Sequence, residues 1–143
     1  MSQRVEQFCD RLRERLNAIE GRIQSVKTDV QALPAKTEKA LRDKRDEART
    51  KVEAQKERVE KARADLKVWA EQKEAETKET ISEWKANREA RKLNARAERA
   101  EAYAEAAVVL ALASIDEAEE AILDAVAARK DADAAQEPGR PVR

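Results

Sequence analysis

The chain has 143 residues, of which 42% are charged and only 3% are aromatic. A globular core of that length normally has far more large apolar side chains to bury, whereas a chain dominated by Ala, Glu, Lys and Arg is typical of long helices and coiled coils. The sequence therefore predicts an all-α fold without a β-sheet, built of two or three long antiparallel helices in a helical hairpin or coiled-coil-like bundle.

The charges cancel over the whole chain but are segregated along it. Thirty basic and thirty acidic residues leave no global field that would draw the protein to nucleic acid or to an anionic membrane. Residues 35–92 contain eighteen basic and fourteen acidic residues, a net charge of +4, whereas residues 93–136 contain four and ten, a net charge of −6. Opposite net charges favour packing of these two segments against each other.

The first predicted helix covers residues 1–33. Its large apolar residues follow at steps of three or four, which predicts one stripe along the helix. The stripe consists of Val5, Phe8, Leu12, Leu16, Ile19, Ile23, Val26, Val30 and Leu33. Within it, Leu12, Ile19 and Val26 are predicted to form a packing face. Pro34 disfavours a helical conformation of Leu33, so the helix is expected to end there. The chain then either turns back into a helical hairpin, which we favour, or continues as a kinked rod.

The second predicted helix covers residues 34–92 and has a weaker pattern. One apolar series repeats every seven residues and a companion series runs beside it, which predicts a two-position seam. The series are Leu41, Ala48, Gln55, Ala62 and Trp69, with Val52, Val59 and Leu66 as the companions. Trp69 is one of only two tryptophans and is predicted to pack in the core. A second reversal is expected between Glu83 and Ala95.

The third predicted helix covers residues 93–135 and is rich in alanine. Small residues at both positions of a seam let two helices approach closely. The first series is Ala97, Ala104, Ala111, Ala118, Ala125 and Ala132, and the second is Ala100, Ala107, Ser114, Ala121 and Ala128. Ala104, Ala111, Ala118 and Ile122 are predicted packing residues. The opposite, solvated side is predicted to carry Glu101, Glu105, Asp116, Glu117, Glu120 and Asp124. Residues 136–143 are expected to be a disordered tail.

Several kinds of reactive site are excluded by residue type. Histidine is absent, which removes Ser-His and Cys-His nucleophiles, the HExxH zinc motif and the histidine ligands of di-iron bundles. Two glycines are too few for a phosphate-binding loop or a dinucleotide fingerprint. We therefore expect no catalytic residues, no cofactor and no metal. Cys9, the only cysteine, is either a partly buried apolar residue or a thiol that links two chains.

A basic stretch follows the second tryptophan and is a candidate patch for an anionic partner. It consists of Trp84, Lys85, Arg88, Arg91, Lys92 and Arg96. The patch contacts phosphates or lipid headgroups in one interpretation and lies solvated against the acidic third helix in the other, which we favour. Trp84 is either an anchor for a partner or a packing residue at the end of the bundle.

In composition and period the chain resembles bacterial coiled-coil proteins, phasin-like granule coats, and exchangeable lipid-binding or desiccation-related helical proteins. We predict a non-enzymatic interaction or scaffold protein that self-associates or docks on a partner protein. The alternative is an amphipathic coat that folds on lipid, on a polymer granule or under desiccation stress. The longest apolar run, residues 106–113, is too short to span a bilayer. With one cysteine and no apolar signal region, the sequence favours a cytoplasmic location.

Overall fold

The structure is a computed structural model that describes residues 3–136. These residues form five α-helices and a 3-10 helix, Leu33–Ala35, and include no strand. The α-helices are α1 (Gln3–Ala32), α2 (Glu38–Ala54), α3 (Lys56–Ala75), α4 (Lys78–Ala86) and α5 (Ala90–Gln136). The all-α class is confirmed. Gln136 ends α5, and the rest of the predicted tail lies outside the described residues.

The segment predicted as one second helix is divided into α2, α3 and α4. Gln55 separates α2 from α3 with φ −106° and ψ 7°, which is outside the helical region. Thr77 begins α4 in an extended conformation, and its hydroxyl accepts a hydrogen bond from the amide of Thr80 at 3.1 Å. Residues 87–89 form the turn before α5, so the break expected between Glu83 and Ala95 is present. None of these breaks uses glycine or proline.

Thr37 is the N-cap of α2. Its Oγ1 accepts a hydrogen bond from the amide of Ala40 at 3.1 Å, and such a bond satisfies one of the donors that a helix start leaves unpaired. We expect Thr37→Ala to lower the free energy of unfolding by about 1 kcal/mol, as measured by urea denaturation. Thr50→Ala is the matched control, because the Thr50 hydroxyl bonds only the Asp46 carbonyl within the same helix. Equal effects of both changes would contradict the capping role.

Contacts divide the chain into two units. Of the described residues, unit 2 contains 18–56 and 112–136. Within it, Arg45 pairs with Asp124 at 3.6 Å and Arg49 pairs with Glu120 at 3.2 Å, so α2 runs antiparallel to α5. The core of unit 2 consists of Leu33, Leu41, Ala48 and Leu123, with Ile122 and Val126 packed against it.

Of the described residues, unit 1 contains 3–17 and 57–111. Trp69 on α3 packs against Tyr103 on α5 with ring centroids 5.6 Å apart and planes inclined at 49°. Arg99 on α5 pairs with Glu76, which follows α3. Because position 69 is beside 103 and position 76 is beside 99, α3 runs antiparallel to α5. The buried residues of this unit are Val59, Ala62 and Ala106.

Half of the residues in the seam predicted along residues 41–69 are buried. Leu41, Ala48, Val59 and Ala62 are buried and all belong to the two predicted series. Trp69 is half-buried. Leu41 and Ala48 belong to unit 2, whereas Val59 and Ala62 belong to unit 1.

Of the packing residues predicted on α5, Ile122 packs against the core of unit 2 and Ala104 is half-buried, but the other two are not covered within this chain. Ala111 and Ala118 are exposed, whereas Ala113 and Leu123 are buried, and Asp116, predicted on the solvated side, is buried as well. Positions 111 and 113 are about 200° apart around a helix. On the buried side, Asp116 pairs with Arg22 on α1 and with Gln55 just after α2, and a carboxylate is buried only where such partners are present. A packing role for Ala111 and Ala118 against another molecule stays a prediction.

Candidate interaction surface

The inward side of α1 uses the predicted packing residues. Leu12, Ile19 and Val26 are half-buried and lie seven residues apart. No residue of α1 is fully buried, however. Only part of the apolar surface of α1 is therefore covered by other helices.

A second apolar series on α1 faces solvent, and we call it the outer row. It consists of Cys9, Leu16, Ile23 and Val30, again seven residues apart. Leu16 is 53% exposed, Ile23 is 52% exposed and Val30 is 37% exposed. With the inward series it completes the alternating three- and four-residue steps of a coiled-coil heptad. One of the two apolar heptad positions on this helix is therefore exposed to solvent.

Cys9 is a free, exposed cysteine, so the interpretation of Cys9 as a partly buried residue is wrong. Cys9 lies one heptad before Leu16 and is therefore on the same exposed side of α1. The sequence contained this signal. Cys9 lies at the same seven-residue interval as the three larger members, and counting it among the apolar residues separates the single predicted stripe into two rows.

A row of charges borders the outer row, and we call it the charged row. Each member lies three residues before a member of the outer row, which makes the two neighbours on a helix surface. The members are Glu6, Arg13, Glu20 and Lys27, all exposed. Their signs alternate along the helix. Arg13 also contacts Asp10 on the same helix at 2.8 Å, with side chains 73% and 64% exposed, so solvent weakens that pair.

A buried polar cluster joins three elements of unit 2. Asp116 on α5 accepts hydrogen bonds from Arg22 on α1 and, at 2.8 Å, from Gln55 at the end of α2. Glu119 lies 3.7 Å from the same guanidinium. The hydrogen bond with Asp116 raises the pKa of Arg22 above its usual value, and burial opposes this only in part. Because Asp116 is paired on both oxygens, the cluster is suited to fixing helix register rather than to proton transfer.

Two further features of the described residues bear on ligand binding. A recess in unit 2 has a volume of roughly 60 Å³, which holds about two waters and is well below the 300 Å³ of a small ligand pocket. Its lining mixes apolar residues, among them Val26, Val30 and Leu33, with charges that include Lys44 and Glu47. Between residues 3 and 136, no group of Cys, Asp or Glu is placed to hold a metal ion.

The predicted basic patch lies around the turn between α4 and α5. Lys92 is 3.3 Å from Glu89, and its ammonium lies 5.9 Å from the centre of the Trp84 ring. Arg88 occupies the turn with φ 52°. Trp84 is half-buried. One cation of the patch is therefore already engaged within the chain by a carboxylate and an aromatic face.

The other members of the patch differ in exposure. Lys85 and Arg91 are exposed, and Arg96 is half-buried. Binding of an anionic partner by this patch stays a prediction. No helix of the described chain is both long and apolar enough to cross a bilayer.

We compared the chain with models of protein families, with curated proteins and with solved structures, and no match was found in any of the three comparisons.

Proposed function

We propose that this protein is a non-enzymatic helical interaction protein whose working surface is the exposed side of α1, and that it acts by self-association in a coiled-coil-like manner. The observation that carries the proposal is the outer row. Three of its residues are large, apolar and 37% to 53% exposed. Isolated apolar residues are common on surfaces, whereas a row at the coiled-coil interval is the pattern that a second helix covers.

The limited core supports the same proposal. Within residues 3–136, only two large side chains are almost wholly buried, Leu33 and Leu41. Covering Leu16, Ile23 and Val30 with another helix would add apolar burial that the described chain does not supply for itself. Self-association would therefore gain free energy from burying the outer row. The seven-residue spacing of this row fits a second helix.

The first test is the molar mass in solution over about a hundredfold range of protein concentration. We expect a concentration-dependent shift from one chain to an assembly. Leu16→Gln combined with Ile23→Gln should shift the equilibrium toward the single chain by at least tenfold, because two apolar contacts are lost from each copy.

The matched control is Val68→Gln on α3. Val68 is 51% exposed and lies outside the outer row, so its replacement should leave the assembly unchanged. A wild-type chain that stays single at every concentration would contradict self-association. If that chain also gained helical circular dichroism only on lipid vesicles, the coat function would replace the present proposal.

A further inference from the structure

We infer that the outer row binds a second copy of this chain, with the two α1 helices antiparallel and Leu16 of each copy beside Leu16 of the other. This inference rests on the proposed self-association and specifies its geometry. The outer row and the charged row both lie on α1, which is one helix from Gln3 to Ala32.

The charged row selects the orientation. In an antiparallel helix pair, residues at the same flanking position of the two helices face each other. Glu6 then lies level with Lys27 of the second copy, and Arg13 lies level with Glu20 of the second copy. Two-fold symmetry repeats both pairs, so all four members of the row meet an opposite charge. In a parallel pair related by a two-fold axis along the helices, the charged rows of the two copies lie on opposite sides of the apolar contact, so none of these charge pairs forms.

The same register aligns the apolar residues. When Arg13 is level with Glu20 of the second copy, Leu16 is one residue, or about 1.5 Å, from the level of Leu16 of that copy. Cys9 is likewise one residue from the level of Ile23 of the second copy. The charge pairing and the apolar layers are thus satisfied together, although each follows from a different set of side chains.

Charge also excludes the neighbouring registers. Sliding the second copy by seven residues in one direction brings Arg13 level with Lys27, and sliding it in the other direction brings Arg13 level with itself. Both registers place like charges opposite each other, which costs free energy. Only a slide of fourteen residues restores opposite charges, and it leaves much of the outer row uncovered. One antiparallel register is therefore preferred.

Disulfide crosslinking tests this geometry, because Cys9 is the only cysteine. We expect Ile23→Cys to form a covalent dimer under mild oxidation, seen on a non-reducing gel, through Cys9 and the new thiol of the second copy. Two Cys9 residues lie about 22 Å apart in the proposed pair, far beyond the roughly 7 Å that a disulfide allows between Cα atoms. The wild-type chain should therefore not crosslink.

Val30→Cys is the matched control, because it places a thiol on the same row. If the register were shifted by seven residues, this thiol would lie beside Cys9 of the second copy. Crosslinking of the wild-type chain would indicate a parallel pair or the antiparallel register shifted by fourteen, and crosslinking of Val30→Cys without that of the wild type would indicate the register shifted by seven; either result overturns the inference. An assembled chain in which Ile23→Cys does not crosslink also overturns it but leaves self-association intact. A chain that is single in solution contradicts both.

A charge exchange provides an independent readout in solution. Glu20→Lys should raise the dissociation constant about tenfold, because it makes two of the four charge pairs repulsive. Adding Arg13→Glu restores opposite charges in both pairs, so the double variant should return to within about threefold of the wild-type value. Loss of affinity that the second change does not recover would contradict the antiparallel pairing.

Discussion

Replacing Leu41 with alanine is expected to lower the free energy of unfolding by about 3 kcal/mol. Leu41 is 1% exposed and lies in the core of unit 2 with Leu33, Ala48 and Leu123. Loss of a buried leucine side chain removes its transfer free energy and leaves a cavity, and such changes cost about 2 to 5 kcal/mol. Urea denaturation followed by helical circular dichroism gives the value, at one low protein concentration so that self-association does not contribute.

Leu16→Ala is the matched control for this prediction. The same atoms are removed, but Leu16 is 53% exposed, so the single chain should lose less than about 1 kcal/mol. Similar losses at the two positions would mean that Leu41 is not part of the core. The pair of variants also separates folding from assembly, because Leu16→Ala should weaken self-association far more than Leu41→Ala does.

Replacing Asp116 with alanine is expected to lower the free energy of unfolding by about 2 to 3 kcal/mol. The change leaves the Arg22 guanidinium, 27% exposed in its side chain, without its hydrogen-bonded carboxylate and leaves the Gln55 amide without an acceptor. Removing one partner of a buried pair costs about 3 to 5 kcal/mol. Glu119, 3.7 Å from Arg22, compensates in part and lowers the expected loss.

Asp124→Ala is the control, because Asp124 pairs with Arg45 at 3.6 Å and its side chain is 46% exposed. Its loss should cost less than about 1 kcal/mol. Changing both Arg22→Met and Asp116→Leu should restore part of the stability lost with Asp116 alone, since neither charge is then buried unpaired. Equal effects at positions 116 and 124 would contradict the buried cluster.

The raised pKa of Arg22 fixes the sign of its pH dependence. A group whose pKa is higher in the folded chain contributes stability that is complete below its unfolded pKa and is lost as the pH rises through the folded value. For an arginine that loss falls at strongly alkaline pH. The Arg22 contribution is therefore constant across the neutral range.

Apolar spacing made much of the fold predictable. The all-α class, the end of the first helix near Pro34 and the seam through Leu41 and Ala62 all follow from residues a heptad or less apart. The breaks were harder to predict. Thr37 and Thr77 are recognisable caps, but Gln55 leaves the helix at the point where its side chain bonds Asp116, a residue on another helix.

The face of α5 could not be read from its own sequence. Alanine repeats every seven residues on its exposed side, and alanine favours a helix whether it is buried or not. Asp116 belongs to the buried side only because Arg22 and Gln55, distant in sequence, lie opposite it. The interaction surface was partly predictable, since the two rows of α1 were found as one stripe and only the structure shows which row is covered.

The two rows of α1 also limit how the length of this chain can change. One residue inserted into α1 turns the rest of the helix by about 100°, which would carry Ile19 and Val26 off their packing side and disturb the outer row as well. An insertion of seven residues keeps both rows nearly in place. The break between α3 and α4, at Glu76 and Thr77, has no such phase to preserve. Among related sequences, α1 should vary in length by whole heptads, while smaller insertions and deletions should gather at that break.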